Sequence, residues 1–66
     1  MKIGDKIRVD GMTGVVVGLL SEGKFAPGYS AEEWAYLQVG VLVETVEAGL
    51  IHFPHTDGIA VDQNSN

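Results

Sequence analysis

The residues best suited to metal or acid–base chemistry are two histidines and an aspartate near the carboxyl end. His52 and His55 are three residues apart, and Asp57 follows two residues later. Imidazole and carboxylate groups are competent ligands for zinc or nickel, but a site would need another ligand, such as Glu44 from a neighbouring strand. Because Pro54 separates the histidines at a strand end, their side chains need not converge. We therefore predict no metal site, and we expect His52 to face outward or a subunit contact.

Nucleophilic catalysis finds no support in the sequence. The chain has no cysteine, and of its hydroxyl residues only Thr56 lies beside a histidine. The glycines are scattered through turns and do not precede a helix, which excludes a phosphate-binding loop. The carboxylates at Glu32–Glu33, Glu44 and Glu47 are most simply solvated surface. The sequence favours binding over catalysis and assigns no catalytic residue.

A group of aromatic and apolar residues suits a binding surface. Trp34 and Tyr36 can join other aromatic residues in a shelf of the kind that holds proline-rich peptides, and Glu32–Glu33 would favour a basic flank on such a peptide. The alternative is that Trp34 covers one open end of the fold. The predicted binding residues are Trp34, Tyr36, Gln38, Leu42, Ile51, His52 and Phe53.

The first third of the chain must supply two strands. Alternation in residues 1–9 predicts a strand with a kink at Gly4–Asp5, in which Lys6 and Arg8 face water. A turn at residues 10–14 leads to a second strand at 15–20, which is apolar on both faces. Such a strand either passes between two halves of a barrel or presents its outer face to another subunit.

The middle of the chain combines a loop, a helical turn and a long strand. Residues 21–29 have no periodicity and predict a loop, whereas Ser30 and Glu33 have the spacing of a capping box and predict a helical turn at 31–35. The β-branched residues that follow favour a strand from about 36 to 46 over a longer helix. Alternation along that strand places Leu37, Val39, Val41 and Val43 inward and Tyr36, Gln38, Leu42 and Glu44 outward.

The carboxyl end completes the predicted sheet. Gly49 suits the left-handed position of a hairpin at 47–49, and the fourth strand follows at 50–53. A 3₁₀ turn at 55–58 leads to a last strand at 59–61. We expect residues 63–66 to form a disordered polar tail.

Length and composition bound the function. A chain of 66 residues forms one marginally stable domain, and without cysteine or metal ligands the common remaining support is oligomerisation. An apolar fraction of 45 % favours the same prediction of a homo-oligomer. The net charge of −5 argues against nucleic acid and anionic membranes as partners. No apolar stretch approaches the roughly 20 residues of a membrane span, and we expect a cytoplasmic protein.

The predicted element order resembles an SH3-like barrel. The segment Gly4-Asp5-Lys6-Ile7-Arg8-Val9, followed by Thr13-Gly14-Val15-Val16, is similar to the first hairpin of many such barrels. The resemblance implies an all-β fold, a five-stranded SH3-like barrel with one short helical turn, over residues 1–62.

Two segments also resemble the plasmid-borne type II dihydrofolate reductases, whose small SH3-like barrels assemble as tetramers around a central pore. Their Gly-Asp-Arg-Val-Arg is similar to residues 4–8, and their pore-lining Val-Gln-Ile-Tyr-Pro is similar to residues 50–54. The chain has Ile51 in place of the family's glutamine, and His52 and Phe53 in place of its isoleucine and tyrosine. The resemblance implies a tetramer and, if the activity is kept, an NADPH site at a symmetry axis.

The sequence therefore predicts a small acidic binding or assembly module that is homo-oligomeric, as a dimer or tetramer, or binds another protein. The first alternative is an oxidoreductase of the reductase type, which is the only hypothesis that requires a cofactor. The second is an accessory subunit of a larger complex.

Overall fold

The fold is a single antiparallel sheet with a short helical segment in one connection. The computed structural model describes residues 1–62. A four-residue helix, Ala31–Trp34, is followed directly by a 3₁₀ turn at Ala35–Leu37, and another 3₁₀ turn lies at Leu20–Glu22. The elements are β1 Lys6–Val9, β2 Met12–Leu19, β3 Lys24–Phe25, α1 Ala31–Trp34, β4 Val41–Thr45, β5 Gly49–Phe53 and β6 Ala60–Val61.

The sheet is open, so the predicted closed five-stranded barrel is wrong. Its strands follow the order β5-β4-β2-β1-β6, and β3 pairs with the far end of β2. β1 pairs with the first half of β2 from Lys6↔Val15 to Val9↔Met12, and β3 takes the same side of β2 at Gly18 and Leu19. β5 and β6 are the outer edges of this strand order, β3 is a two-residue strand that pairs only with β2, and within residues 1–62 β5 and β6 do not pair with each other.

Both faces of the sheet carry a hydrophobic cluster. The first cluster is built on Ile7, Val9, Val16, Leu19, Val41 and Val43. The second is built on Val17, Leu20 and Leu42, and the connection between β2 and β4 packs against it through Phe25, Ala26, Tyr29, Trp34 and Leu37. We call residues 25–37 the covering segment. It explains why β2 is apolar on both faces: the chain itself covers the second face there, and no subunit is needed for that purpose.

Several turns follow the sequence prediction. Gly4 has a φ of +91°, at the predicted kink, and Ile7 and Val9 are buried while Lys6 and Arg8 are exposed. The β1–β2 connection has positive φ at Asp10 and Gly11, as a tight primed turn requires.

The predicted strand at 36–46 is wrong in its first half. Gln38 and Gly40 have φ values of +66° and +88°, so the backbone turns there and β4 begins only at Val41. Val39, predicted to face inward, is 50 % exposed, whereas Leu42, predicted to face outward, is 1 % exposed. The reason is that both faces of β4 are covered, and Leu42 lies under the covering segment.

Smaller differences occur elsewhere. A register shift between Val16 and Gly18 brings Leu19 to the same cluster as Val16, although simple alternation places them on opposite faces. The predicted loop at 21–29 contains β3, and residues 55–58 form a turn without 3₁₀ structure. The predicted tail at 63–66 lies outside the described residues. In the described part of the chain, no helix has the length and apolar character needed to cross a bilayer.

Candidate functional site

Edge strand β5 is held in place by its hairpin with β4. The five pairs run from Val41↔Phe53 to Thr45↔Gly49. Thr45 is 5 % exposed and fixes the turn from inside, because its Oγ1 donates to the carbonyl of Gly49 at 2.8 Å and accepts from the amide of Ala48 at 3.0 Å. Gly49 has the predicted positive φ, at +75°. These bonds give β5 a fixed register against β4.

The second edge of β5 pairs with no other strand among residues 1–62. The strand has the sequence Gly-Leu-Ile-His-Phe. It contains no lysine, arginine, aspartate, glutamate or proline, which are residues that discourage pairing at an edge. Ile51 is half-buried and belongs to neither hydrophobic cluster. β6, at the other edge of the sheet, is only two residues long. The longer and more apolar of the two edges is therefore β5.

His52 connects β5 to the chain that enters β4. It pairs with Leu42 across the hairpin, and its Nε2 lies 2.8 Å from the carbonyl oxygen of Val39. With a proton on Nε2 the imidazole donates to that carbonyl, which satisfies a backbone group just before Gly40. His52 therefore ties β5 to the backbone at Val39, and its ring is not isolated on the surface.

The seven predicted binding residues do not form one surface. Tyr36 is 70 % exposed, Gln38 is exposed, and Ile51 and His52 are half-buried beside the β5 edge. Leu42 is buried and is excluded from any surface. Trp34 packs on the second hydrophobic cluster and Phe53 on the first, so these two aromatic residues serve opposite faces of the sheet.

The covering segment is tied to the sheet by a polar contact. Tyr29 donates its hydroxyl to Oε2 of Glu44 at 3.0 Å. This hydrogen bond, with a smaller effect from desolvation and from the negative charge of Glu44, raises the pKa of the Tyr29 phenol above its ordinary value. Ser30 accepts from the amide of Glu33 at 3.3 Å, as the capping box predicted, and begins α1. Trp34 therefore belongs to a fixed cover over the sheet.

A polar cleft of about 430 Å³ opens near the start of β4. Its wall includes Gly40, where an added Cβ would collide with the carbonyl oxygen of Phe53 and lie 2.7 Å from Cα of Pro54. The sequence pattern does not reveal this cleft, because four separate segments of the chain form it. Among the residues that line it are Ser21, Glu22, His55, Thr56 and Asp57.

A second concave area, of about 460 Å³, lies on the part of the sheet that the covering segment leaves open. Lys6, Val15 and Glu44 lie side by side there on β1, β2 and β4. Val46, just after β4, is 82 % exposed. The sequence does not reveal this area, because alternation predicts which face a residue occupies but not how far a distant connection extends over that face.

Neither clustered metal ligands nor comparisons with known proteins assign a role to the site. Across residues 1–62, no group of three or more histidine, aspartate or glutamate side chains is placed to hold a metal ion. No protein-family model matches the chain, and neither a curated protein nor a solved structure matches it significantly.

Proposed function

We propose that the chain is a protein-binding and assembly module that accepts an extended strand at the free edge of β5. The bound strand comes from a second copy of the chain or from another protein. Strand addition forms main-chain hydrogen bonds between the added strand and the edge, and side-chain contacts beside the edge give specificity. The SH3-like resemblance and the homo-oligomer remain hypotheses within this proposal.

The observation that carries the proposal is the combination of a free edge with an apolar residue outside the core. Natural edge strands are usually shortened, charged or interrupted, because an unprotected edge pairs with other chains. β5 is five residues long and has none of these protections. Ile51 is half-buried and is not among the residues of either hydrophobic cluster, so a partner that covers it would add apolar burial.

The residues around β5 offer a partner strand further contacts. Val39 is 50 % exposed and lies beside His52, whose ring is already fixed by the Val39 carbonyl. A partner strand at β5 therefore meets an ordered border. Tyr36 is further exposed apolar surface within three residues of Val39. Aromatic residues at an interface provide large contact area at small entropic cost.

The test measures the mass in solution and the response to a strand peptide. Light scattering from about 10 µM to 1 mM reports self-association. Amide NMR shifts report the addition of a synthetic peptide with the sequence of residues 48–54. We expect Ile51→Lys to abolish the response of the β5 amides and the part of the self-association that runs through the β5 edge, because a lysine opposes strand pairing at an edge. Ile51→Val is the matched control and should behave as the wild type.

Two results together would contradict strand addition. The first is an identical mass for the wild type and Ile51→Lys at every concentration. The second is a set of β5 amides that does not respond to the peptide. Shifts confined to β6 amides would also contradict it, since they would assign pairing to the other edge.

A further inference from the structure

We propose that the open area around Val15 and Val46 is a face-to-face dimer interface with a second copy of this chain. This surface is distinct from the β5 edge, and its proposal does not depend on strand addition. We call it the open face and define it by Lys6, Arg8, Val15, Glu44, Val46 and Glu47.

The open face continues the sheet surface that the covering segment protects. Val17 and Leu42 on that surface are buried below the segment, whereas Val15, two residues earlier on β2, is 37 % exposed. Val46 is 82 % exposed, and its amide donates to the carbonyl of Thr13 at 3.0 Å, so its backbone is ordered. Two valines on ordered backbone are thus exposed next to a concave area of about 460 Å³.

Charges of opposite sign lie on the two sides of these valines. Lys6 and Arg8 project from β1 as exposed side chains. On the other side, Glu44 accepts from the Tyr29 hydroxyl at 3.0 Å, and Oε1 of Glu47 accepts from the amide of Thr13 at 3.2 Å. The carboxylates are therefore held in position. Half of the four cations of the chain are on this face, although the net charge is −5.

This charge pattern fits a second copy of the same surface. A two-fold axis that lies in the interface and runs along β2 places β1 of one copy over β4 of the other. Val15 then meets Val15 of the second copy near the axis, and Lys6 of each copy faces Glu44 of the other. Isologous contacts of this kind need a surface that is complementary to itself, and opposite charges on either side of an apolar centre meet that need.

The interface also uses the apolar part of Arg8. In the sheet, Arg8 pairs with Thr13, and the carbonyl of Thr13 accepts from the amide of Val46. The same two-fold axis brings the methylene stem of Arg8 over Val46 of the second copy. Long cationic side chains commonly cover apolar surface in this way while the charged end stays in water.

The decisive experiment exchanges charges between two variants. In a dimer of the Lys6→Glu variant, the new glutamate of each copy would face Glu44 of the other copy. In a dimer of the Glu44→Lys variant, the new lysine of each copy would face Lys6 of the other copy. Each variant alone should be a monomer in light scattering at concentrations where the wild type is a dimer. An equimolar mixture restores both opposite-charge pairs, so we expect a heterodimer of wild-type mass.

Apolar variants separate this interface from the β5 edge. Val46→Lys should weaken dimerisation by more than about tenfold. Val39→Lys places the same substitution at another exposed valine and should leave the open-face dimer intact, as should Ile51→Lys. Circular dichroism checks that every variant keeps its fold.

Three results would overturn the proposal. One is a monomeric wild type up to about 1 mM. Another is a wild-type dimer that Ile51→Lys dissociates and Val46→Lys does not, which would assign the dimer to β5. The third is a mixture of Lys6→Glu and Glu44→Lys that stays monomeric while each variant remains folded.

Discussion

Gly40 is the residue at which the chain most strongly requires glycine. Its φ is +88°, and a Cβ at this position would collide with the Phe53 carbonyl oxygen. The carbonyl of Gly40 also accepts from the amide of Leu20 at 3.1 Å, so the ends of β2 and β5 meet at the beginning of β4. An alanine side chain can be accommodated only if two backbone segments move apart.

We therefore expect Gly40→Ala to lower the free energy of unfolding by more than about 3 kcal/mol. Gly49→Ala is a matched control, because Gly49 has a φ of +75° but no heavy atom within 4 Å of an added Cβ. Gly49→Ala should lower the free energy of unfolding only by the strain of a positive φ in a non-glycine residue, about 1–2 kcal/mol. Urea unfolding of the two variants measures the difference. Equal losses would show that the close approach to Phe53 has no energetic consequence.

Individual site residues differed in how far the sequence could predict them. Ser30 and Glu33 form the predicted cap because both partners lie within four residues of each other, where local geometry decides. The environment of Leu42 depends on a segment that begins many residues earlier. Alternation gave it the correct position opposite Val41 and Val43 but not its burial, since the sequence does not reveal which connection covers that face.

At the scale of elements, strands between strong turn signals were predictable. The β4–β5 hairpin and the β1–β2 hairpin have the predicted turns, because Gly49 and Asp10–Gly11 determine them locally. β3 was missed because two residues have no periodicity and its pairing depends on the far end of β2. The strand predicted at 36–46 failed where Gln38 adopts a positive φ, which side-chain propensity does not indicate.

The covering segment should become less tightly held at high pH. Tyr29 is neutral when it donates to Glu44, and its pKa is raised in the folded state. A raised phenol pKa contributes stability that is fully present below about pH 10 and is lost as the pH rises through the folded-state pKa. We expect the wild type to lose its stability advantage over Tyr29→Phe in that pH window.

Urea unfolding between about pH 8 and pH 11 provides this comparison. Lysine titration affects both proteins, so the difference between them isolates Tyr29. Tyr36→Phe is the control for the loss of a phenol group, because Tyr36 is 70 % exposed. A constant difference between wild type and Tyr29→Phe over the whole range would contradict a role for the phenol proton.

For the whole molecule, the question is whether the chain needs a partner to cover its apolar surface. A chain of 66 residues is expected to need a partner because its core is small. Instead, the chain covers both faces of its sheet for much of their area, and its accessible surface of 4284 Å² is close to the roughly 4,000 Å² typical of a compact 7.0 kDa protein. The proposed self-association concerns the surfaces left over, the β5 edge and the open face.

A double variant, Val46→Lys with Ile51→Lys, tests whether the isolated chain folds. Both residues lie outside the two hydrophobic clusters, so we expect cooperative thermal unfolding with a midpoint that does not depend on concentration. The wild-type midpoint should rise by roughly 3–5 °C for each tenfold increase in concentration, because dimerisation stabilises only the folded state. Calorimetry over a hundredfold concentration range, about 10 µM to 1 mM, measures both. A double variant without a cooperative transition would show that the two clusters are insufficient and that partner contacts are part of the fold.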